Sequence, residues 1–301
     1  MPVVGCMGNR ACGIRLHLHP RHAARPQVPR HLGQLPERGE IPFHKIGAHS
    51  KALRYPLEDM NTSGSHSFAA FDPGRVRAIT LDLDDTLWPI WPTIARAEEV
   101  LQRWLGEHAP ATAALATDRS MLRAVREQVV RARSDLAHDL SAQRRESIRV
   151  LLERAGDDPA LAEPAFEVFF AERQRVELFE DAMPALERLS ARYPVVAVSN
   201  GNADVHRVGI GGHFRAAISA REFGVGKPDT RIFLAAADAA GVGPGQVLHI
   251  GDDAHLDGVG ALRAGMQLAW VNRSDDLWEH EPLQPHLTIN DLRDLCRALS
   301  I

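Results

Sequence analysis

Five short apolar runs constrain the fold most: VRAITLDL (76–83), PVVAVSN (194–200), AAISA (216–220), QVLHIGD (246–252) and MQLAWVN (266–272). None alternates cleanly between apolar and polar residues, the pattern of strands covered on both faces in a parallel sheet. Between the last four lie helical patterns such as TRIFLAAADAAG (230–241), preceded by Pro228 and Asp229 and closed by Gly241. Strands alternating with helices predict βαβ units and a Rossmann-like, doubly wound parallel sheet of the α/β class.

The gap between the first two strands differs in kind. PTIARAEEVLQRWLGEH, SMLRAVREQVVRARSDLAHDL, SAQRRESIRVLLERAG and PAFEVFFAERQRVELF carry apolar residues at a spacing near 3.6 and few strand formers. Roughly a hundred residues are too many for one crossover helix. They predict an inserted all-helical domain over 89–180, with the core formed by 75–88 and 181–301. AMPALERLSARY (182–193) then returns the chain to the second strand.

The net charge of −4 hides an asymmetry: residues 1–59 hold nine Lys/Arg against four Asp/Glu, and the rest 26 against 35. The stretch 1–74, rich in Pro, Arg and His at its start, lacks helical or strand periodicity and a continuous signal-peptide core, so it is expected to be a disordered leader. Met60 is an alternative start. Cys6, Cys12, His17, His19 and His22 fit no zinc spacing. A nucleic-acid arm is disfavoured because no aromatic residues interleave the basic ones. No apolar run approaches the ~20 residues of a membrane span, and three cysteines, Cys6, Cys12 and Cys296, suit a reducing cytoplasm better than a disulfide framework.

In open α/β sheets, ligands sit beyond the carboxyl ends of the strands. Those ends are not a random set here: Asp82, Asp84, Asp85 and Thr86 after the first run, Ser199, Asn200 and Asn202 after the second, Lys227 in the loop after the third, and Asp252 and Asp253 after the fourth, with Asp257 a turn later. Carboxylates this crowded repel unless a cation sits among them. The set suits phosphoryl transfer through an aspartyl-phosphate. Asp82, last on a rigid strand, is the expected nucleophile, and Asp84 is placed to protonate the leaving alcohol and then deprotonate water. Asp82, Asp84 and Asp252 are the expected Mg²⁺ ligands. Ser199, the Asn200 backbone N–H and Lys227 are expected on the phosphoryl oxygens. Asp253, Asp257 and Thr86 support the site.

In order, DLDDT, SNG, GKP and GDDAHLD resemble the four motifs of the haloacid dehalogenase superfamily over 76–301. The resemblance implies a Rossmann-like core with a C1 cap inserted after the first strand. In that superfamily an Asp two positions after the nucleophile marks phosphatases, and its absence the dehalogenase branch, so Asp84 implies phosphate chemistry. The phosphonatase branch uses a cap lysine, and 89–180 contains none.

Longer segments, DLDDTLWPIWPTIARAE, HDLSAQRRESI, VSNGNAD, HIGDDAHLDGVGALRAGMQLAWVNR and PHLTINDL, are similar to bacterial phosphatases acting on FMN and on 5-amino-6-(5-phospho-D-ribitylamino)uracil, the riboflavin-pathway intermediate. Trp88 departs from them, since relatives often carry Tyr there. The implied substrate is a small phosphorylated metabolite; a phosphoglycolate or sugar-phosphate phosphatase, a phosphomutase and a catalytically silent binding module are the alternatives. Trp88 and Trp91 could stack on a flavin or pyrimidine ring, Arg144 or its neighbour Arg145 could reach the ligand from a cap helix, and Asn202 could meet a ribityl hydroxyl. His249, inside an apolar strand, reads as a core histidine, and His255 is not expected to bind metal.

Overall fold

Strand β1 (Ala78–Leu81) has all four residues buried and lies in the middle of a six-stranded sheet. The computed structural model describes residues 70–301. Strands β2 (Val195–Ser199), β3 (Ala216–Ser219), β4 (Val247–Gly251), β5 (Gln267–Val271) and β6 (Leu287–Ile289) complete the sheet in the order β3-β2-β1-β4-β5-β6. Every pairing is parallel. Five of the six strands fall within the expected runs. The sixth has only three residues, too few to show a period of its own, and joins the edge through Trp270 opposite Thr288.

The two faces of the sheet bury separate clusters. Ile79, Leu81, Val195, Ala197, Leu248 and Ile250 face one side, while Ala78, Val196, Val198 and Val247 face the other. Alternation is therefore real, but both faces are apolar.

Between β1 and β2 the chain forms α1 (Ile90–His108), α2 (Pro110–Leu115), α3 (Arg119–Ala132), α4 (Leu140–Ala155), α5 (Ala162–Arg173) and α6 (Ala182–Arg192). The first five form a helical insertion with its own cluster, in which Ala97, Leu101 and Leu105 of α1 meet Ile148, Leu152, Phe166 and Phe169. Two expected helices are shorter than their sequence pattern. The pattern over 120–140 breaks after Ala132, and α4 starts afresh where Asp139 Oδ1 accepts from the Ala142 amide. Helix α5 stops at Arg173, and the chain runs without helix to Asp181. The two linkers of the insertion touch there: the Phe179 amide donates to Leu87 O at 2.9 Å.

After β2 come α7 (Val205–Val208), β3, α8 (Ala220–Phe223) and α9 (Thr230–Ala240). Beyond β4 a wide π-type turn over Ala254–Val259 precedes α10 (Gly260–Arg263), and α11 (Leu292–Ala298) follows β6. The expected leader is ordered in its last residues. Asp72 N donates to Gln267 Oε1 at 2.8 Å, and Gln267 Nε2 donates back to Asp72 O at 3.0 Å. Residues 1–69, with Met60, Cys6 and Cys12, lie outside the described residues; Cys296 is a buried free thiol.

Candidate active site

The sheet order reverses between β1 and β4, which makes that crevice the expected ligand position of a doubly wound sheet. The Asp82 amide donates to Ile250 O at 2.9 Å, fixing the residue at the end of β1 against β4. Asp252 follows β4 directly and accepts from Thr86 Oγ1 at 2.9 Å, while Trp270 Nε1 on β5 donates to its backbone carbonyl at 2.7 Å. Oxygens of Asp82, Asp252 and Asp257 lie within 4.8 Å of one another. This spread matches the span of oxygens around one octahedral divalent cation.

Lys227 is the cation of this cluster. Its Nζ donates to Asp82 Oδ1 at 2.5 Å and to Asp257 Oδ1 at 2.6 Å, and the residue is 5% exposed. Asn200 aims it: Asn200 Oδ1 accepts from the Lys227 amide at 2.7 Å, and Nδ2 donates to Lys227 O at 2.9 Å. The side chain of Asn200 is thereby committed to the lysine loop. Ser199 Oγ accepts from the Gly201 amide at 2.9 Å. Asp257 also meets His249 Nε2 at 3.0 Å, and His249 Nδ1 lies 2.9 Å from Thr80 Oγ1. Burial holds His249 below its ordinary range, so a neutral ring donates to Asp257 and accepts from Thr80. Asp253 caps the following turn, accepting from the His255 and Leu256 amides at 2.8 and 2.7 Å. His255 lies outside the carboxylate cluster, its ring 5.4 Å from that of His280.

The charges do not balance. Burial pushes Asp82 well above the usual carboxylate range despite Lys227, with Asp257 and Asp252 adding to the rise. Burial, with Asp257 beside it, brings Asp252 to about 7. Asp257 goes the other way: burial works against its charge, but Lys227 and His249 outweigh it and hold the carboxyl at about 2. Burial would neutralise Lys227, yet Asp257 and Asp82 raise it instead. One lysine thus faces three carboxylates, and two of them are short of positive charge. A divalent cation fits that deficit and the oxygen donor set.

Asp84 stands apart from this cluster. Its Oδ1 accepts from Trp88 Nε1 at 2.8 Å, and Arg173 Nη2 donates to Oδ1 and Oδ2 at 2.6 and 2.7 Å. The clustered carboxylates are therefore Asp82, Asp252 and Asp257, with Asp84 turned towards the helical insertion. Asp85, in the left-handed region at φ 57°, accepts from the Ile90 amide and so starts α1; burial raises its carboxyl above the ordinary value.

The aromatic and cap residues expected to meet substrate divide. Trp88 is 0% exposed and packs in the core beside Asp84, so it presents no face for stacking, whereas Trp91 is 76% exposed. Arg144 is engaged by Glu98 at 2.7 Å over the Phe169 ring, and Arg145 by Glu163 over Phe166. Neither has its charge free for a ligand. Asn202 Nδ2 donates to Ser141 Oγ at 3.2 Å.

Sequence reasoning passed over Arg173. Its signal is present: Ala162, Ala165, Phe166, Phe169 and Arg173 form the buried stripe of α5. An arginine in an apolar stripe needs a buried partner.

A family model described as haloacid dehalogenase-like hydrolase matches residues 76–265, and the chain belongs to that family. It is a phosphatase-type hydrolase of the superfamily. It is 33% identical over 230 residues to the 5-amino-6-(5-phospho-D-ribitylamino)uracil phosphatase YigB of Escherichia coli (strain K12), spanning 74% of this chain and 95% of that enzyme. It is 36% identical over 157 residues to the phosphoserine phosphatase of Thermus thermophilus, or 50% of this chain and 62% of the other. Among solved structures, the 2-haloacid dehalogenase from Pseudomonas syringae pv. Tomato DC3000 superposes with a TM-score of 0.70 at 36% identity, covering 75% of this chain and 98% of that one.

Proposed function

We propose that the protein is a Mg²⁺-dependent phosphomonoesterase that removes phosphate from 5-amino-6-(5-phospho-D-ribitylamino)uracil, FMN or both. The observation that carries the chemistry is the pair of acids with different surroundings: Asp82 beside Lys227 in the carboxylate cluster, and Asp84 two residues on, outside it. An Asp82 oxygen attacks phosphorus. As that bond forms, the bond from phosphorus to the leaving oxygen breaks, and the Asp84 carboxyl gives its proton to the departing alkoxide. In the second half Asp84 takes a proton from water, which attacks the aspartyl-phosphate and returns Asp82 and inorganic phosphate. Lys227, Ser199 Oγ–H and the Asn200 amide hold the phosphoryl oxygens.

Asp82 and Asp252 would hold Mg²⁺ within the carboxylate cluster that Asp257 completes, whereas the Asp84 carboxylate is engaged by Arg173 and Trp88. The ion supplies charge neutralisation between the carboxylates and the phosphoryl group. Thr86 and Trp270 hold Asp252 in place. The inserted helices act as a cap over 89–180, with Trp91 and Asn202 as the contacts to ring and ribityl chain. The relation to the Escherichia coli enzyme, 33% identical over 95% of that protein, supports this choice of substrate.

Carbon–halogen hydrolysis is the second reading, favoured by the superposition on the Pseudomonas syringae enzyme; Asp84 in the acid/base position opposes it. One experiment separates them. The full chain with Mg²⁺ is assayed for phosphate release from FMN, the ribitylaminouracil phosphate, phosphoglycolate and sugar phosphates, and for halide release from 2-chloropropionate. Phosphate release selective for the first two, lost by at least about 10³-fold in Asp82→Asn, is the expected result. Halide release without phosphate release would overturn the proposal, and selectivity for other esters would remove the substrate assignment alone.

A further inference from the structure

Strand β5 gives no carboxylate to the cluster, yet two side chains at its carboxyl end hold Asp252. Trp270, on the strand, donates from Nε1 to Asp252 O at 2.7 Å. Arg273, two residues past the strand, donates from Nη2 to Thr86 O at 3.1 Å. Thr86 is fully buried, and its Oγ1 donates to Asp252 Oδ1 at 2.9 Å. The backbone of Asp252 is therefore held from β5 directly, and its carboxylate is held from the same strand end through Thr86.

Arg273 is itself fixed. Its Nη2 also donates to Asp181 Oδ2 at 2.8 Å, an oxygen that accepts from the Leu292 amide at the start of α11, and the guanidinium lies 4.0 Å from the centre of the Phe179 ring. Its Nε is buried without a hydrogen-bond partner. A buried N–H left unpaired is destabilising, so the ion pair with Asp181 is not a full account of this arginine. The contact that bears on the site is the one to Thr86. It fixes the peptide plane after residue 86, and with it the point from which the hydroxyl reaches Asp252. Mg²⁺ demands near-ideal octahedral geometry, and groups that orient a ligand from behind are worth about 10 to 100-fold in metal affinity.

We propose that Arg273 is a positioning residue for the metal site: through Thr86 it sets the Asp252 carboxylate for a divalent cation. This rests on the reading of Asp252 as a Mg²⁺ ligand. The sign of the effect separates positioning from charge. Removing a cation from the neighbourhood would by Coulomb's law strengthen Mg²⁺ binding, whereas losing the hold on Thr86 weakens it.

Calorimetric titration of Mg²⁺ into the full chain at pH 8, without substrate, tests this. Affinity is read there separately from the fraction that folds, which appears as stoichiometry. Arg273→Gln is expected to bind Mg²⁺ about 10-fold more weakly than the parent. Thr86→Val, which removes the hydroxyl, should lose at least as much. Adding the Arg273 change to Thr86→Val should cost less than about twofold more, because two residues acting through one contact are not additive. Should the glutamine variant not fold, Arg273→Lys takes its place in the cycle with a loss of about threefold, since an ammonium does not reproduce the planar guanidinium. Unchanged or tighter binding in either single variant, or a further loss of about twofold or more in the double variant, overturns the proposal and leaves the metal site standing. A parent that takes up no Mg²⁺, or an Asp252→Asn variant that binds it as tightly as the parent, removes the metal reading and this inference with it.

Discussion

Asp257 shows how a buried acid can be structural and electrostatic at once. It accepts from Lys227 and His249, and its other oxygen accepts from the Asp253 amide at 3.2 Å. Its carboxyl is held at about 2 against an ordinary 3.8. A depressed acid contributes stability that is complete above its unfolded pKa and is lost as pH falls through the folded one. That contribution is present at pH 4.5 and is partly lost by pH 3, as the pH nears the folded value. Urea unfolding of the metal-free protein at those two pH values checks this. Asp257→Asn should be less stable than the parent at pH 4.5, and the difference should narrow at pH 3; a constant difference would remove Asp257 as the source.

At the scale of elements, the loop after β2 matters most because three separate pieces of chain converge on it. Ser199 ends the strand, Gly201 packs on Asp84, and the Asn202 carbonyl accepts from Gln174 Nε2 beyond α5 at 3.3 Å. A methyl at residue 201 must displace an Asp84 carboxylate already clamped by Arg173 and Trp88. Gly201→Ala is expected to lower kcat for alkyl phosphates by about 10 to 100-fold, an acid/base contribution lost through misplacement. Its melting temperature should stay within a few degrees of the parent, since the displaced group is the end of one side chain. Steady-state kinetics beside a melting curve decides it. Helix α5 belongs to the same scale. It ends six residues before the expected pattern does, and the non-helical chain after it carries the second linker back to Leu87.

For the whole molecule, the excess of negative charge between β1 and β4 predicts that the folded state responds to divalent cations. Asp252, raised to about 7, keeps its proton in the native state where the unfolded chain would release it near 3.8. Its contribution to stability therefore falls as pH rises from about 4 to about 7. A cation needs the carboxylate form, so its binding competes with that proton and strengthens as pH passes 7. Mg²⁺ at 100 times its Kd at pH 8 should raise stability there by about 2.7 kcal/mol, or about 5 to 10 °C in Tm, and the same concentration should give a smaller shift at pH 6. Asp252→Asn should show little shift at either pH. An equal response in parent and variant would place the ion elsewhere. No helix among the described residues is long and apolar enough to cross a membrane.

Much of this was legible in the chain because it is local. Apolar runs covered on both faces mark strands, and the residue after each run must emerge at one rim, so Asp82, Ser199 and Asp252 are readable from position alone. Helical spacing likewise reveals the insertion. What the tertiary structure decided depends on residues far apart in sequence, where no periodicity carries information. Arg173 meets Asp84 across 89 positions, Asn200 clasps Lys227 across 27, and Trp88 is drawn into the core with its indole nitrogen on Asp84. The three-residue β6 exists only because β5 offers it an edge. Local pattern determines which groups reach the rim, and long-range packing determines what each of them touches there, because a buried charge takes whatever partner the fold brings within hydrogen-bond distance.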